Sequence, residues 1–168
     1  MPELELAVSA TTREQRPGEQ DGREYWFISE DEFDEKIERG DFLEWVELEW
    51  GPRSGTLHSE IERIQSAGRI PLLDLETEGA VRVKKRVPGA ITIFVKTPSF
   101  EENERRLRER ATEDEEEIET RLDVARAQLE QAHDFDYLVV NDDLERAVGE
   151  LRAIIRGELD RAGTILRP

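Results

Sequence analysis

The chain has 168 residues, 24 basic against 41 acidic, for a net charge of −17. That length supports one domain with a sizeable core but not two full ones, and that charge argues against duplex DNA or an anionic membrane as partner. With no cysteine and only His58 and His133, disulfides, thiolate catalysis and a histidine-built metal site are excluded.

Apolar residues fall in blocks, the pattern of a folded domain with a heavily solvated surface. No run approaches the roughly 18 apolar residues of a membrane span. Met1-Pro2-Glu3-Leu4-Glu5 lacks the basic-then-apolar order of a secretory signal, so a cytoplasmic protein is expected. In chain order, Leu4 to Ser9 reads as a strand. A polar segment with Pro17-Gly18 and Asp21-Gly22 as breakers follows. Tyr25 to Ile28 is a short strand. Ser29-Glu30-Asp31-Glu32 has the order of a capping box, and Phe33, Ile37 and Gly40 complete a short amphipathic helix with a glycine stop. Phe42 to Trp50 reads as a strand, Gly51 to Gly55 as a loop, and His58 to Ala67 as a helix ended by Gly68.

The second half changes character. Ile70 to Leu75, Ala90 to Val95 and Tyr137 to Asn141 are short apolar runs, which suit parallel strands buried on both faces. Helical patterns lie between and after them, at Gly79 to Lys85, Phe100 to Arg110, Glu115 to Ala132 and Leu144 to Leu159. Alternating strands and helices predict an α/β fold, with the three apolar strands in one parallel sheet. The shorter strands of the first half predict an inserted mixed subdomain.

Only four of the 24 basic residues are lysine (Lys36, Lys84, Lys85, Lys96). Arginine presents a planar fork that grips phosphate or carboxylate with two hydrogen bonds. Arg13 and Arg16, three apart among the hydroxyls of the segment Ser9 to Glu19, have the spacing to converge on one phosphate, with Tyr25 adding a hydroxyl. They are equally placed for salt bridges with Glu14 and Glu19. Glu44 stands between apolar neighbours on its strand. A half-buried carboxylate there accepts well from a base edge with two N–H groups, such as guanine N1 and N2; an exposed strand carboxylate is the alternative. Asp74 and Glu76 end an apolar run, where open α/β sheets bind ligands, and they are either Mg²⁺ ligands or ordinary strand-end polarity. Arg106 and Arg110 share a helical face, as surface pairs with nearby glutamates or as an arginine-bearing lid over transferring phosphates.

Taken in order, these segments resemble the guanylate kinase family, across nearly the whole chain. The most specific stretches are Ser9 to Glu19 (S-A-T-T-R-E-Q-R-P-G-E), Asp31 to Phe33 with Phe42 to Trp45, Ser54-Gly55-Thr56, Leu73 to Ala80, Arg106-Leu107 with Arg110, Glu115 to Leu122, and Val139 to Asp143 (V-V-N-D-D). The resemblance implies a three-layer nucleoside-monophosphate-kinase fold. Residues of about 10–67 would form a GMP-binding subdomain, about 68–100 and 133–160 the core, and about 106–125 a helical lid. It implies that Arg13, Arg16 and Tyr25 hold the GMP phosphate, and that Glu44 and Thr56 read guanine with Ser9 and Asp74 nearby. Arg106, Arg110 and Arg121 would be the lid and transfer arginines, Asn141 would lie near the ATP adenine, and Mg²⁺ would enter with ATP. A homo-oligomer is compatible with this reading.

Two departures stand out. The family's tyrosine before the glycine is Ser54 here, which predicts weaker phosphate binding unless Arg53 compensates. The family also begins with a strand, a phosphate loop G-x-x-x-x-G-K-[ST] and a helix. No such motif occurs in these 168 residues, and none of the four lysines follows a glycine. Three explanations compete: a fragment or a product of a downstream start; a loop-less module that binds GMP or a phosphorylated protein without catalysis; or transfer by another route. The expectation is GMP binding without useful turnover by the chain as given, and the loss of a central strand predicts exposed strand edges and an apolar slot.

Overall fold

The computed structural model describes residues 1–49, 51–110 and 115–165. Its elements, in order, are β1 (Leu4–Leu6), β2 (Ala10–Thr11), β3 (Trp26–Phe27), α1 (Glu30–Arg39), β4 (Phe42–Glu47), β5 (Arg53–Leu57), α2 (His58–Ser66), β6 (Ile70–Leu72), α3 (Thr77–Arg86), β7 (Ile93–Lys96), α4 (Phe100–Arg110), α5 (Glu115–Glu130), β8 (Tyr137–Val140) and α6 (Leu144–Ile165). A 3-10 turn, Ala132–Asp134, precedes β8. Two units can be distinguished, Met1–Ala90 and Ile91–Pro168. No described helix is long and apolar enough to cross a membrane.

In the first unit, β1 pairs in parallel with β6, and a four-stranded sheet has the order β3-β2-β5-β4. The apolar run from Leu4 to Ser9 does not continue as one strand. After Leu6 the chain leaves the first sheet for the second, with the Val8 amide donating to buried Glu60 on α2 at 3.0 Å. The α1 signals are realised as read. Ser29 caps the helix, its Oγ accepting from the Glu32 amide at 3.1 Å, and Gly40 ends it with φ +71°. Its apolar face supplies Phe33, which is fully buried. Phe33 stacks on Phe42 at 4.5 Å between ring centroids and meets Trp45 edge-on at 6.2 Å. Ala10, Ile28, Ile37 and Leu57 close around this aromatic group.

β5 is a strand where the composition of Gly51 to Gly55 reads as a loop. The turn needs Gly51, at φ +111°, but Gly55 serves a different purpose. A Cβ on it would stand 2.7 Å from both the Glu44 carbonyl oxygen and the Trp45 Cβ, so glycine is the residue that lets β4 and β5 approach. The pairing is antiparallel, with Glu44 opposite Thr56 and a shift between Phe42 and Glu44.

In the second unit, β7 and β8 pair in parallel from Ile93↔Tyr137 to Lys96↔Val140. Val139 is fully buried, as nearly are Ile118, Leu122 and Ala147. Phe94 meets Phe135 edge-on at 5.1 Å. Asp136 accepts from both the amide and the hydroxyl of Thr92. Arg126 of α5 lies 4.5 Å over the Phe100 ring that opens α4.

The sequence reading expects the three apolar runs in one parallel sheet apart from a gap; among the described residues their parallel pairing is present as two two-stranded sheets, β1-β6 and β7-β8. Their strands are also not buried on both faces. Ile70, Leu72, Val95 and Leu138 are all more than 40% exposed, because among the described residues each strand has one hydrogen-bonded neighbour.

Candidate active site

The β3-β2-β5-β4 sheet carries Glu44 and Thr56 on its strands, and Ser9, Arg13 and Tyr25 lie beside its strand ends. Ser9 leads into β2, and its carbonyl accepts from the Trp26 amide at 2.9 Å. Across the sheet, Ala10 faces Gly55 and Thr11 faces Ser54. Arg13 follows β2, and Tyr25 precedes β3.

Glu44 is the most enclosed carboxylate of the group, 2% exposed on β4. Its Oε1 accepts from the Thr56 amide at 3.0 Å and the Thr56 hydroxyl at 2.8 Å. Its Oε2 lies against the first turn of α3, where a Cβ on Gly79 would come within 2.7 Å. Burial pushes the Glu44 pKa above its ordinary 4.5; the two bonds from Thr56 and the charges of Arg82 and Arg86 pull the other way. Glu44 and Thr56 therefore form one unit, as the pairing of their strands requires. Neither is an exposed strand residue.

Arg13 is held in a fork by Glu19, Nη2 to Oε1 at 2.8 Å and Nη1 to Oε2 at 3.1 Å. Its guanidinium sits over the Tyr25 ring at 5.3 Å and the Phe27 ring at 5.5 Å. The Arg16 amide donates to the same Glu19 Oε2 at 2.8 Å, while the residue itself is exposed. Arg13 and Tyr25 are thus brought together, and Arg16 joins them through its backbone and Glu19. The Arg13 bond, then the Arg16 amide, holds the Glu19 carboxyl below its ordinary pKa.

Arg53 is not turned toward this cluster. Its guanidinium bonds Glu30 and Asp34 on α1 and lies 4.7 Å over the Phe33 ring. It clamps helix to sheet. Asp74 is exposed just beyond β6. Among the described residues, no group of three or more His, Asp or Glu side chains is set to hold a metal ion.

In the second unit, Arg106 of α4 donates from Nε to Glu102 at 2.6 Å. Arg108, on the same helix, bonds Glu104 and reaches Glu115 at the start of α5. Arg121 is half-buried on α5, and Asn141 follows β8 with its amide donating to the Lys96 carbonyl at 2.7 Å. The side chain of Arg110 lies outside the described residues.

Two arginines that the sequence reading does not single out stand beside Glu44. Arg86 Nη1 donates to the Leu43 carbonyl and Arg82 Nη1 to the Trp45 carbonyl. The signal for them is present in the sequence: Gly79, Arg82 and Arg86 are spaced three and four apart, one face of a helix.

A family model described as "Guanylate kinase" matches residues 3–158. A guanylate kinase of Symbiobacterium thermophilum is 43% identical over 160 residues, covering 95% of this chain and 75% of the relative. One from Chromobacterium violaceum is 47% identical over 157 residues, covering 94% and 74%. The crystal structure of guanylate kinase from Anaplasma phagocytophilum superposes with a TM-score of 0.79 at 28% identity, covering 94% of this chain and 77% of that one. A family match over almost the whole chain, relatives at 43% and 47% identity and a shared fold agree: this chain belongs to the guanylate kinase family.

Proposed function

We propose that the chain binds GMP as the phosphate acceptor of the family reaction, in which ATP and GMP give ADP and GDP. The observation that carries this reading is the buried Glu44 carboxylate, fixed by Thr56 on the same sheet as the Arg13–Tyr25 pair. One carboxylate accepts from guanine N1–H and N2–H₂, and adenine has no such donor pair. Ser9, which leads into β2, and Asp74, just beyond β6, complete the guanine side of this reading. Arg13, Arg16 and Tyr25 take the phosphate, with the Arg13 fork exchanging Glu19 for the ligand.

Arg106, Arg110 and Arg121 act on the transferring phosphoryl group, where arginine stabilises spread negative charge. Asn141 borders the adenine. In this division of labour residues of about 10–67 bind GMP, about 68–100 and 133–160 form the core, and about 106–125 close as a lid. Mg²⁺ arrives on the ATP phosphates, and the site of action is the cytoplasm. A G-x-x-x-x-G-K-[ST] loop is not among the 168 residues. The chain as given therefore binds GMP without sustaining useful turnover.

Calorimetry with GMP and AMP tests the acceptor assignment. GMP should bind more tightly, and Glu44→Ala should weaken it roughly ten- to hundredfold, the size of one buried charged hydrogen-bond pair of about 1.5–3 kcal/mol. Equal affinities, or an unaffected Glu44→Ala variant, would refute it. A phosphopeptide that binds through Arg13, Arg16 and Tyr25 and ignores Glu44 would identify a binding module instead.

A further inference from the structure

We propose that helix α3 positions the base-reading carboxylate, with Arg82 and Arg86 as positioning residues for Glu44 and Gly79 as the opening that admits its side chain. The inference rests on the reading of Glu44 as the guanine acceptor.

Three contacts converge on one residue. Among the described residues β4 is the last strand of its sheet, and the backbone groups along its outer edge have no strand there to pair with. The two carbonyls flanking Glu44, those of Leu43 and Trp45, are taken by the guanidinium groups of Arg86 and Arg82. Bonds to the residues before and after fix the backbone from which Glu44 projects. Arg82 also lies 6.0 Å over the Trp45 ring, a second grip on the same position. The side chain then meets α3 itself. A Cβ on Gly79 would stand 2.7 Å from Glu44 Oε2 and 3.4 Å from its Cδ, so a larger residue would push the carboxylate out of place.

The chemistry of the pair is consistent with this geometry. An acceptor for two N–H groups must be ionised, and burial alone works against that. Two cationic groups on the adjacent helix oppose the effect of burial without occupying the carboxylate oxygens: Arg86 donates to the Leu43 carbonyl, and Arg82 donates to the Trp45 carbonyl and to Glu78 on its own helix. Helix α3 thus supplies backbone restraint, charge and clearance to one side chain.

The test uses the full chain and calorimetry with GMP and inosine 5′-monophosphate, which lacks the 2-amino group. The Arg82→Met, Arg86→Met double variant should lower GMP affinity at least tenfold and bring the GMP-to-inosine preference close to one. Arg82→Lys with Arg86→Lys, which keeps the charges and loses the planar forks, should recover part of that preference. In a Glu44→Gln background the same methionine substitutions should cost less than a further twofold, as expected of residues acting through one group. Thermal melting of each variant shows that it is folded. Equal loss for both nucleotides, or a full additional loss on top of Glu44→Gln, would overturn the role of α3. A Glu44→Gln chain that keeps the whole GMP preference would overturn the underlying base reading, and α3's role with it. Gly79→Ala supplies an independent check: it favours the helix, and it should still lower the GMP preference. An unchanged preference in that variant would count against the proposal.

Discussion

Under the proposed base reading, binding and stability pull in opposite directions at Glu44. Its pKa is raised above 4.5 by burial, so the fold prefers the protonated form. Its contribution to stability is fully present below the unfolded-state value and is lost as pH rises through the folded-state value. Replacing it with glutamine keeps an acceptor for Thr56 and removes the buried charge. Glu44→Gln should therefore stabilise the chain by roughly 0.5–2 kcal/mol at neutral pH, with the gain vanishing near pH 4, while GMP binding is weakened. Thermal melts of both chains between pH 4 and 8 measure this; a variant less stable than the parent at pH 7 would contradict it. The enclosure of Glu44 was half legible, since Leu43 and Trp45 flank it in sequence. Thr56 as its partner was not, because that contact depends on strand pairing twelve residues away. Arg13 shows the reverse: both alternatives read from its neighbours are present at once, a salt bridge to Glu19 and a place over Tyr25.

Among the elements, α1 was legible almost to the residue, because its cap, its apolar face and its glycine stop are all local signals. β5 was not. Two glycines and a proline mark a loop by composition, and only the close approach of β4 explains Gly55. Once β5 is a strand, Arg53 becomes a clamp. Its side chain is 13% exposed and joins Glu30 and Asp34 to the face of Phe33. Exposed ion pairs contribute about 0–1 kcal/mol, and stacking over an aromatic ring about 0.5–2 kcal/mol. Arg53→Ala should thus cost about 1–2 kcal/mol, or a few degrees in Tm, with Arg53→Lys intermediate. GMP affinity should change less than twofold. A large loss of GMP affinity with an unchanged Tm would show that Arg53 leaves α1 for the phosphate.

At the scale of the whole molecule, phosphoryl transfer depends on positioning and charge neutralisation. Candidate arginines for that task are present in both units, but a glycine-rich loop and its lysine are not among the 168 residues. Loss of one preorganised donor costs about 10²–10³ in rate, and such a loop would supply several amides and a lysine together. In a coupled ADP-release assay the chain as given should turn over well below about 1 s⁻¹, the low end for kinases, while still binding GMP. Extending it at the N-terminus with a strand, such a loop and a helix should raise the rate. Turnover near 1 s⁻¹ without the extension would refute the expectation. The lack of that motif, the acidity and the α/β alternation were all legible from the sequence. The choice of strand partners was not: whether Ile70–Leu72 pairs with Leu4–Leu6 or with a later run is settled by contacts across the fold, not by the run itself.

The slip in pairing between Phe42 and Glu44 bears on how such a strand can change over generations. Phe42 and Trp45 are an odd number of residues apart, yet both meet Phe33, while Glu44 reaches α3. Their roles depend on that one irregular step. Side chains here can be exchanged one at a time, but gaining or losing a single residue would move the aromatic pair and the carboxylate onto each other's faces in one event. Residues 42–45 are thus expected to vary by substitution alone and to keep their length.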